Sequence, residues 1–330
     1  MLRRKLSSVT IESAMSTTTV CEVLFRPETD DLRFLPEGPY TNPAGGFSWV
    51  GIQHGADATF GSLNLLSASG ENTTHVLPGR PGFAFPTSLP GVFVCGVERQ
   101  LGLFSTADGS WTVLADGIDR EVENTIINDG IVCGENLIFG CKDLEFATKK
   151  AGLYLYRGAD GSLIQMRHDQ LCSNGKAMID RDGPQLIDID SPTKTVTLTP
   201  LDPNTGTLGE PRVIVDVTAE DIFPDGLILT PDGQSVIIAF YDPGDPDAGV
   251  ARQYGIASGE IEHVWSCPQS PRVTCPQLVE HDGRIRLLLT TAVEGMEEER
   301  LRQHVNAGCL FIGDTEFDGV SEQPVFPLGQ

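Results

Sequence analysis

Short apolar runs, about four to six residues each, alternate with clusters of Gly, Pro, Asp and Asn along nearly the whole chain. Helical periodicity is almost absent. The best helical window, residues 296–303 (MEEERLRQ), is short and strongly charged, and predicts no more than a surface insertion. The clearest strand signal lies in residues 223–241, FPDGLILTPDGQSVIIAFY. Asp232-Gly233 stands there between Leu227-Ile228-Leu229 and Val236-Ile237-Ile238. Gly tolerates positive φ and Asp bonds its own backbone, so this dipeptide predicts a hairpin turn. Asp225-Gly226 has no strand partner before it and opens the first strand of the hairpin instead.

The pattern repeats. A polar or Pro-Gly entry, a short apolar strand, a turn and a longer strand recur through the chain. With Glu37, Phe83, Asn128, Asn174, Asp225 and Cys275 as anchors, the steps are about 46, 45, 46, 51 and 50 residues, the length of a propeller blade. Six such units predict an all-β fold, a six-bladed β-propeller around a central channel. In the fourth unit the expected strands are 176–179, 186–189, 195–198 and 213–217, with turns at Asp182-Gly183 and Asn204-Thr205-Gly206.

Composition narrows this picture. The chain has 330 residues, 40% of them apolar, enough for one large domain, expected over 21–330. Residues 1–20 carry basic side chains but no apolar segment, and are expected to form a disordered tail rather than a signal peptide. No apolar run approaches the roughly 20 residues that span a bilayer, and a cytoplasmic location is expected. The formal net charge of −23 excludes the basic footprint of nucleic-acid or anionic-membrane binding. It is compatible with cation binding, and equally with simple solubility. The eight cysteines form no CxxC pair and are expected as buried free thiols. The histidines lack the spacing of a zinc site.

In a propeller, equivalent entries converge on the axis. Four of the six carry oxygen donors: Glu37, Asn128, Asn174 and Asp225. Two carboxylates and two amide carbonyls, without His or Cys, suit a hard cation such as Ca²⁺, with Mg²⁺, Mn²⁺ or Zn²⁺ as alternatives. Asn and Asp before Gly are also ordinary turn residues. Turn chemistry alone explains poorly why the polar entry recurs at blade spacing.

Glu37-Gly38-Pro39, Asn128-Asp129-Gly130, Ser173-Asn174-Gly175 and Pro224-Asp225-Gly226, in that order, resemble the regucalcin/gluconolactonase family of six-bladed propeller lactonases. The segment Ile189-Asp190-Ser191-Pro192-Thr193-Lys194-Thr195-Val196 is also similar to the family's. The likeness spans about residues 31–320. It implies a calcium-dependent hydrolase acting on a small lactone. Glu37, Asn174 and Asp225 would hold the metal, Asn128 would ligate it or hold substrate, and Asp225 would double as general base. Related classes leave two alternatives, a propeller that binds Ca²⁺ without catalysis and a phosphotriester hydrolase.

Three positions depart from the family. Ile126 stands where regucalcin-type members often carry a sugar-binding Arg. Lys176 follows Ser-Asn-Gly where an apolar residue is usual, and would replace the lost cation in binding substrate if it turned into the channel. Cys275 occupies the sixth entry and is expected as a core thiol rather than a channel-lining group. Glu145, in the charged group Lys142, Asp143 and Glu145, falls near a family position that contacts substrate, although charged strand ends are usually just solvated. The oligomeric state is not legible.

Overall fold

The computed structural model describes residues 17–321 and 323–328. Six antiparallel sheets are arranged as a β-propeller, in the order the repeat predicts. Blade I holds Pro36–Thr41, Phe47–Gly51, Ser62–Leu66 and Asn72–Val76. The innermost strands of blades II to VI are Pro81–Pro86, Thr125–Cys133, Ser173–Asp180, Phe223–Leu229 and Val273–His281. Every anchor lies on one of these innermost strands. The short charged helix is also found, as Glu298–Gln303, inserted between two strands of blade VI.

Strand burial explains why the sequence reads as short, nearly continuous apolar runs. A middle strand of a blade is covered on both faces, and Ser235–Tyr241 is buried at every position but its last. Six apolar clusters each fill the space between two neighbouring blades. Trp49 and Leu310 meet between blades I and VI, for example, and Trp265 and Leu287 between V and VI. Burying each such large side chain contributes about 1.5–3 kcal/mol, so the ring is held by many comparable interfaces rather than one central core. All eight cysteines are free, as expected.

The ring closes through its ends. The outermost strand of blade VI is Glu22–Phe25, antiparallel to Leu310–Asp314. Thr17–Val20 adds a parallel fifth strand to blade V beside Ile261–Pro268. Part of the expected tail is therefore sheet, because Thr17, Thr18, Thr19 and Val20 are β-branched and find an open edge. The rest of that expectation, residues 1–16, lies outside the described residues. Near the other end, residues 321 and 323–328 lie across one mouth of the channel. The Ser321 hydroxyl donates to Leu229 O, Gln323 Nε2 to Leu278 O (2.7 Å), the Tyr40 hydroxyl to Pro324 O (2.8 Å) and Phe326 N to Pro86 O (2.9 Å). This strap touches blades V, VI, I and II in turn. No helix among the described residues is long and apolar enough to cross a membrane.

Candidate active site

All six innermost strands break register against their neighbours at the anchor. The shifts fall between Glu37 and Tyr40, Pro81 and Phe83, Ile127 and Asp129, Asn174 and Lys176, Pro224 and Leu227, and Val273 and Pro276. A bulge re-aims the side chains that follow it. Here it divides the innermost strands of blades I, III, IV and V between the two ends of the channel. Glu37, Asn128, Asn174 and Asp225 line a cavity of about 280 Å³ at one mouth. Gly38, Asp129, Lys176 and Leu227, one or two residues later, line a second cavity of about 450 Å³ at the other. The glycine after the anchor is required by close approach. A Cβ on Gly226 would stand 2.6 Å from Cys275 Sγ and 2.8 Å from Thr274 O, and one on Gly175 would stand 2.7 Å from Asp225 O.

Four expected residues are thus brought together. Asn128 Nδ2 donates to Ser173 O (2.9 Å) and to Asn174 Oδ1 (3.1 Å). Asn174 Nδ2 donates to Ser191 Oγ (2.9 Å), and the Ser191 hydroxyl donates to Pro224 O (2.7 Å). These bonds tie blades III, IV and V together and fix both amides. Ser191 starts the short 3₁₀ turn Ser191–Thr193, and the preceding Asp190 accepts from Leu171 N and Cys172 N. The Ile189-to-Val196 stretch singled out in the sequence is therefore a support for the asparagines.

Electrostatics sets this cavity apart. Burial, then the charges of Asp225 and Asp129, pushes the Glu37 carboxyl well above the usual carboxylate range, against the pull of Lys142. Burial and Asp129 do the same to Asp225, again opposed by Lys142, and Glu294 adds to the rise. Two like charges held together out of water are costly unless a cation sits with them. Among the described residues no three His, Cys, Asp or Glu side chains cluster as a metal site. A cation here would have to use the amide oxygens as well as the two carboxylates. That donor set, together with the uncompensated carboxyl pair, fits a hard divalent cation rather than a soft one.

Two expected residues are not brought to this cavity. Lys176 is buried at the opposite mouth, where Nζ donates to Asn174 O (2.6 Å) and lies 3.5 Å from Asp188 Oδ1. The bulge between Asn174 and Lys176 turns it away, so it does not replace the lost cation there. Glu145 is exposed and pairs with Asn124 (3.1 Å) and Lys150 (3.4 Å) outside the cavity. Cys275 is not a core thiol. It lines the second mouth, half-buried, and burial, with Glu37 the largest of the nearby charges, raises its thiol far above the ordinary range.

The sequence reading missed Lys142 and Glu294. Lys142 is the second-last residue of Asn136–Asp143, is buried, and lines the donor cavity. Its register partner across the sheet is Ile126. A readable signal existed: Lys142 falls opposite the position where a cation is lost, once Asn128-Asp129-Gly130 and Leu137-Ile138-Phe139 are read as one hairpin. Glu294 reaches the cavity from the loop that follows Arg284–Thr291. Its backbone carbonyl accepts from Arg272 and from the Tyr241 hydroxyl (2.6 Å). Phe146, more than half exposed at φ +49°, stands at the cavity rim. A bulky residue at positive φ is strained, and Asp143 enforces it by accepting from the N–H groups of Glu145 (3.1 Å), Ala147 (3.1 Å) and Thr148 (2.9 Å).

Residues 35–293 match the model of the SMP-30/gluconolactonase/LRE-like region. Among curated proteins, the chain is 27% identical over 186 residues to a putative sugar lactone lactonase, YvrE, of Bacillus subtilis. That match spans 56% of this chain and 60% of the relative. It is 26% identical over 251 residues to an L-arabinolactonase of Azospirillum brasilense, spanning 76% of this chain and 79% of that one. Among solved structures, a calcium-binding regucalcin of Agrobacterium tumefaciens superposes with a TM-score of 0.77 at 22% identity, over 95% of this chain and 99% of that one. A luciferin-regenerating enzyme superposes with a TM-score of 0.71 at 17% identity, over 93% and 100%. At these identities the likeness to solved structures speaks to the fold.

Proposed function

The chain belongs to the SMP-30/gluconolactonase/LRE-like family, and from that premise we propose that it is a metal-dependent hydrolase that opens a small sugar-acid lactone. The observation that carries the reading is the convergence of Glu37, Asn128, Asn174 and Asp225 on one cavity, with both carboxyls driven up by burial and by neighbouring carboxylates, Asp129 among them. The two lactonase relatives support the substrate class.

Glu37, Asn174 and Asp225 would hold a divalent cation, with Ca²⁺ the first choice for an all-oxygen set and Asn128 as fourth ligand or substrate donor. When bound, such an ion supplies Lewis-acid polarisation of the lactone carbonyl. The protein's own residues do the rest. Asn128 and Asn174 are locked by their bonds to Ser173 O and Ser191 Oγ, so the amide oxygens that would help hold the cation are fixed in direction. Asp225 takes the proton as water attacks the carbonyl carbon, and returns it to the ring oxygen as the ester C–O bond breaks. The products are a free hydroxyl and a carboxylic acid, which releases the second proton of the water to solvent as it ionises to the carboxylate. Leu35, Ile52, Phe223 and Tyr241 form apolar walls that limit competing water.

Acid release measured in a pH-stat over a panel of sugar and aliphatic lactones tests the reading, with chelator and with added Ca²⁺. Metal-dependent turnover lost in Asp225→Ala is the expected result. Saturable metal binding without turnover of any lactone would assign the cavity to cation holding alone.

A further inference from the structure

Of the charged groups lining the donor cavity, Lys142 and Glu294 take no part in the hydrolysis proposed above, and Lys142 is the cation of the two. It is only 7% exposed. Among the described residues its ammonium has no hydrogen bond and no salt bridge, whereas other lysines near the channel and its loops are pinned. Lys150 bonds Asp143 (3.0 Å) and Glu145 (3.4 Å), Lys176 bonds Asn174 O (2.6 Å) and faces Asp188 (3.5 Å), and Lys194 faces Asp221 (3.8 Å). The Lys142 stem is buried while its ammonium opens onto the cavity, where it is available to an anion.

In the protein alone, the Lys142 charge acts on Glu37 and Asp225 across the cavity without a direct pair to either. A divalent cation seated on the same two carboxylates removes this compensation and adds repulsion. Glu294, the remaining carboxylate, is partly exposed and acts on Asp225 and Tyr241. The other walls, Leu35, Ile52, Phe146 and Phe223, carry no charge. An anionic group on the ligand is therefore the partner best placed to pair with Lys142 directly. At about 280 Å³ the cavity admits a six-carbon sugar acid.

We propose that Lys142 sets substrate specificity by pairing with a carboxylate on the substrate, so that the pocket takes lactones of sugar diacids in preference to neutral sugar lactones. This rests on reading the cavity as that of a lactone hydrolase. A site built around a buried charge discriminates strongly against ligands that leave it unpaired.

The test compares the wild type with Lys142→Met, of similar length without the charge, and Lys142→Arg, which keeps it. One arm measures kcat/KM on D-glucaro-1,4-lactone and on D-glucono-1,5-lactone. The wild type is expected to favour the diacid lactone, with the ratio falling at least about tenfold in Lys142→Met and partly restored in Lys142→Arg. A second arm needs no turnover. Calorimetric binding of D-glucarate to the Ca²⁺-loaded protein should weaken about tenfold in Lys142→Met, while Ca²⁺ binding itself is retained or tightened. Glucarate binding that Lys142→Met leaves unchanged overturns the proposal, as does a wild type that prefers the neutral lactone. Lys142-dependent glucarate binding with no lactone turned over upholds the pairing and sinks only the hydrolytic reading. Loss of Ca²⁺ binding in both variants would make Lys142 a structural residue and also overturn it.

Discussion

The two mouths of the channel share the innermost strands of blades I, III, IV and V, yet their charged groups are arranged differently. At the strapped mouth, Lys176 and Asp188 face each other and Lys176 also binds a backbone carbonyl. Residues 321 and 323–328 lie across that end and bond to four blades. At the other mouth two buried carboxyls repel each other, and the nearest cation, Lys142, forms no direct pair with either. A few residues separate these environments on the innermost strands of blades I, III, IV and V, on either side of one bulge. A satisfied network stabilises a fold, whereas an unsatisfied one is where a ligand gains binding energy. The donor-lined mouth is in that sense the unfinished half of the channel.

The sharpest way to break this contrast is to remove its central carboxylate. Asp225→Asn should lower kcat/KM for lactones by about 10³-fold or more, since both the metal charge balance and the proton acceptor are lost. Initial rates in saturating Ca²⁺ would measure it, and a fall of less than tenfold would move the general base elsewhere. The matching change at the strapped mouth should act on stability instead. Lys176→Met leaves Asp188 buried without its partner and should cost about 3 kcal/mol in urea unfolding, with turnover per folded molecule changed far less. If Lys176→Met instead abolished turnover with stability intact, the two mouths would share one reaction.

A smaller effect comes from pH. Glu37 and Asp225 have folded-state pKa values raised by burial and by nearby like charges, so each favours the folded state while protonated. Their stabilising contribution is present below the unfolded carboxylate range near pH 4 and is lost as pH rises toward their raised values. Metal-free protein should therefore lose stability as pH rises from about 4 into the neutral range, by about 1.4 kcal/mol for each unit by which a carboxyl is displaced. Glu37→Gln should flatten that slope, and chelator-treated thermal melts across pH would show whether it does. Saturating Ca²⁺ should flatten it too. The smallest change tests the bulge itself. Gly226→Ala places a methyl within 2.6 Å of Cys275 Sγ and should cost about 1–3 kcal/mol, read from the same urea curves. A neutral outcome would mean the innermost strands can slide apart at no cost.

The blades were legible in the sequence because each middle strand is covered on both faces, and this writes short apolar runs at a fixed spacing. The four donors were legible for the same reason, since they sit at equivalent points of that repeat. What was not legible depends on local geometry that the repeat does not encode. Lys176 was expected in the donor cavity, yet one extra residue at the bulge turns it to the far mouth. Lys142 read as a solvated strand end, because nothing in Gly140-Cys141-Lys142-Asp143 announces that this end points inward. Glu294 comes from a loop outside the six entries altogether. Thr17–Val20 read as tail because its partner strand is remote in sequence.

That remoteness has a kinetic consequence. Glu22 meets Arg286 across a separation of 264 residues, in the blade that completes the ring. Contacts so distant form late, because the entropy of closing a long loop precedes any gain from them. Until blade VI acquires its outer strand, Leu310–Asp314 has an open edge and the circle of innermost strands lacks a fixed diameter. The donors of blades I, III, IV and V then have no fixed distances to one another. Ligand competence should thus appear as the last and slowest phase of refolding, well after the sheets themselves, and the half-closed ring is the species most exposed to aggregation.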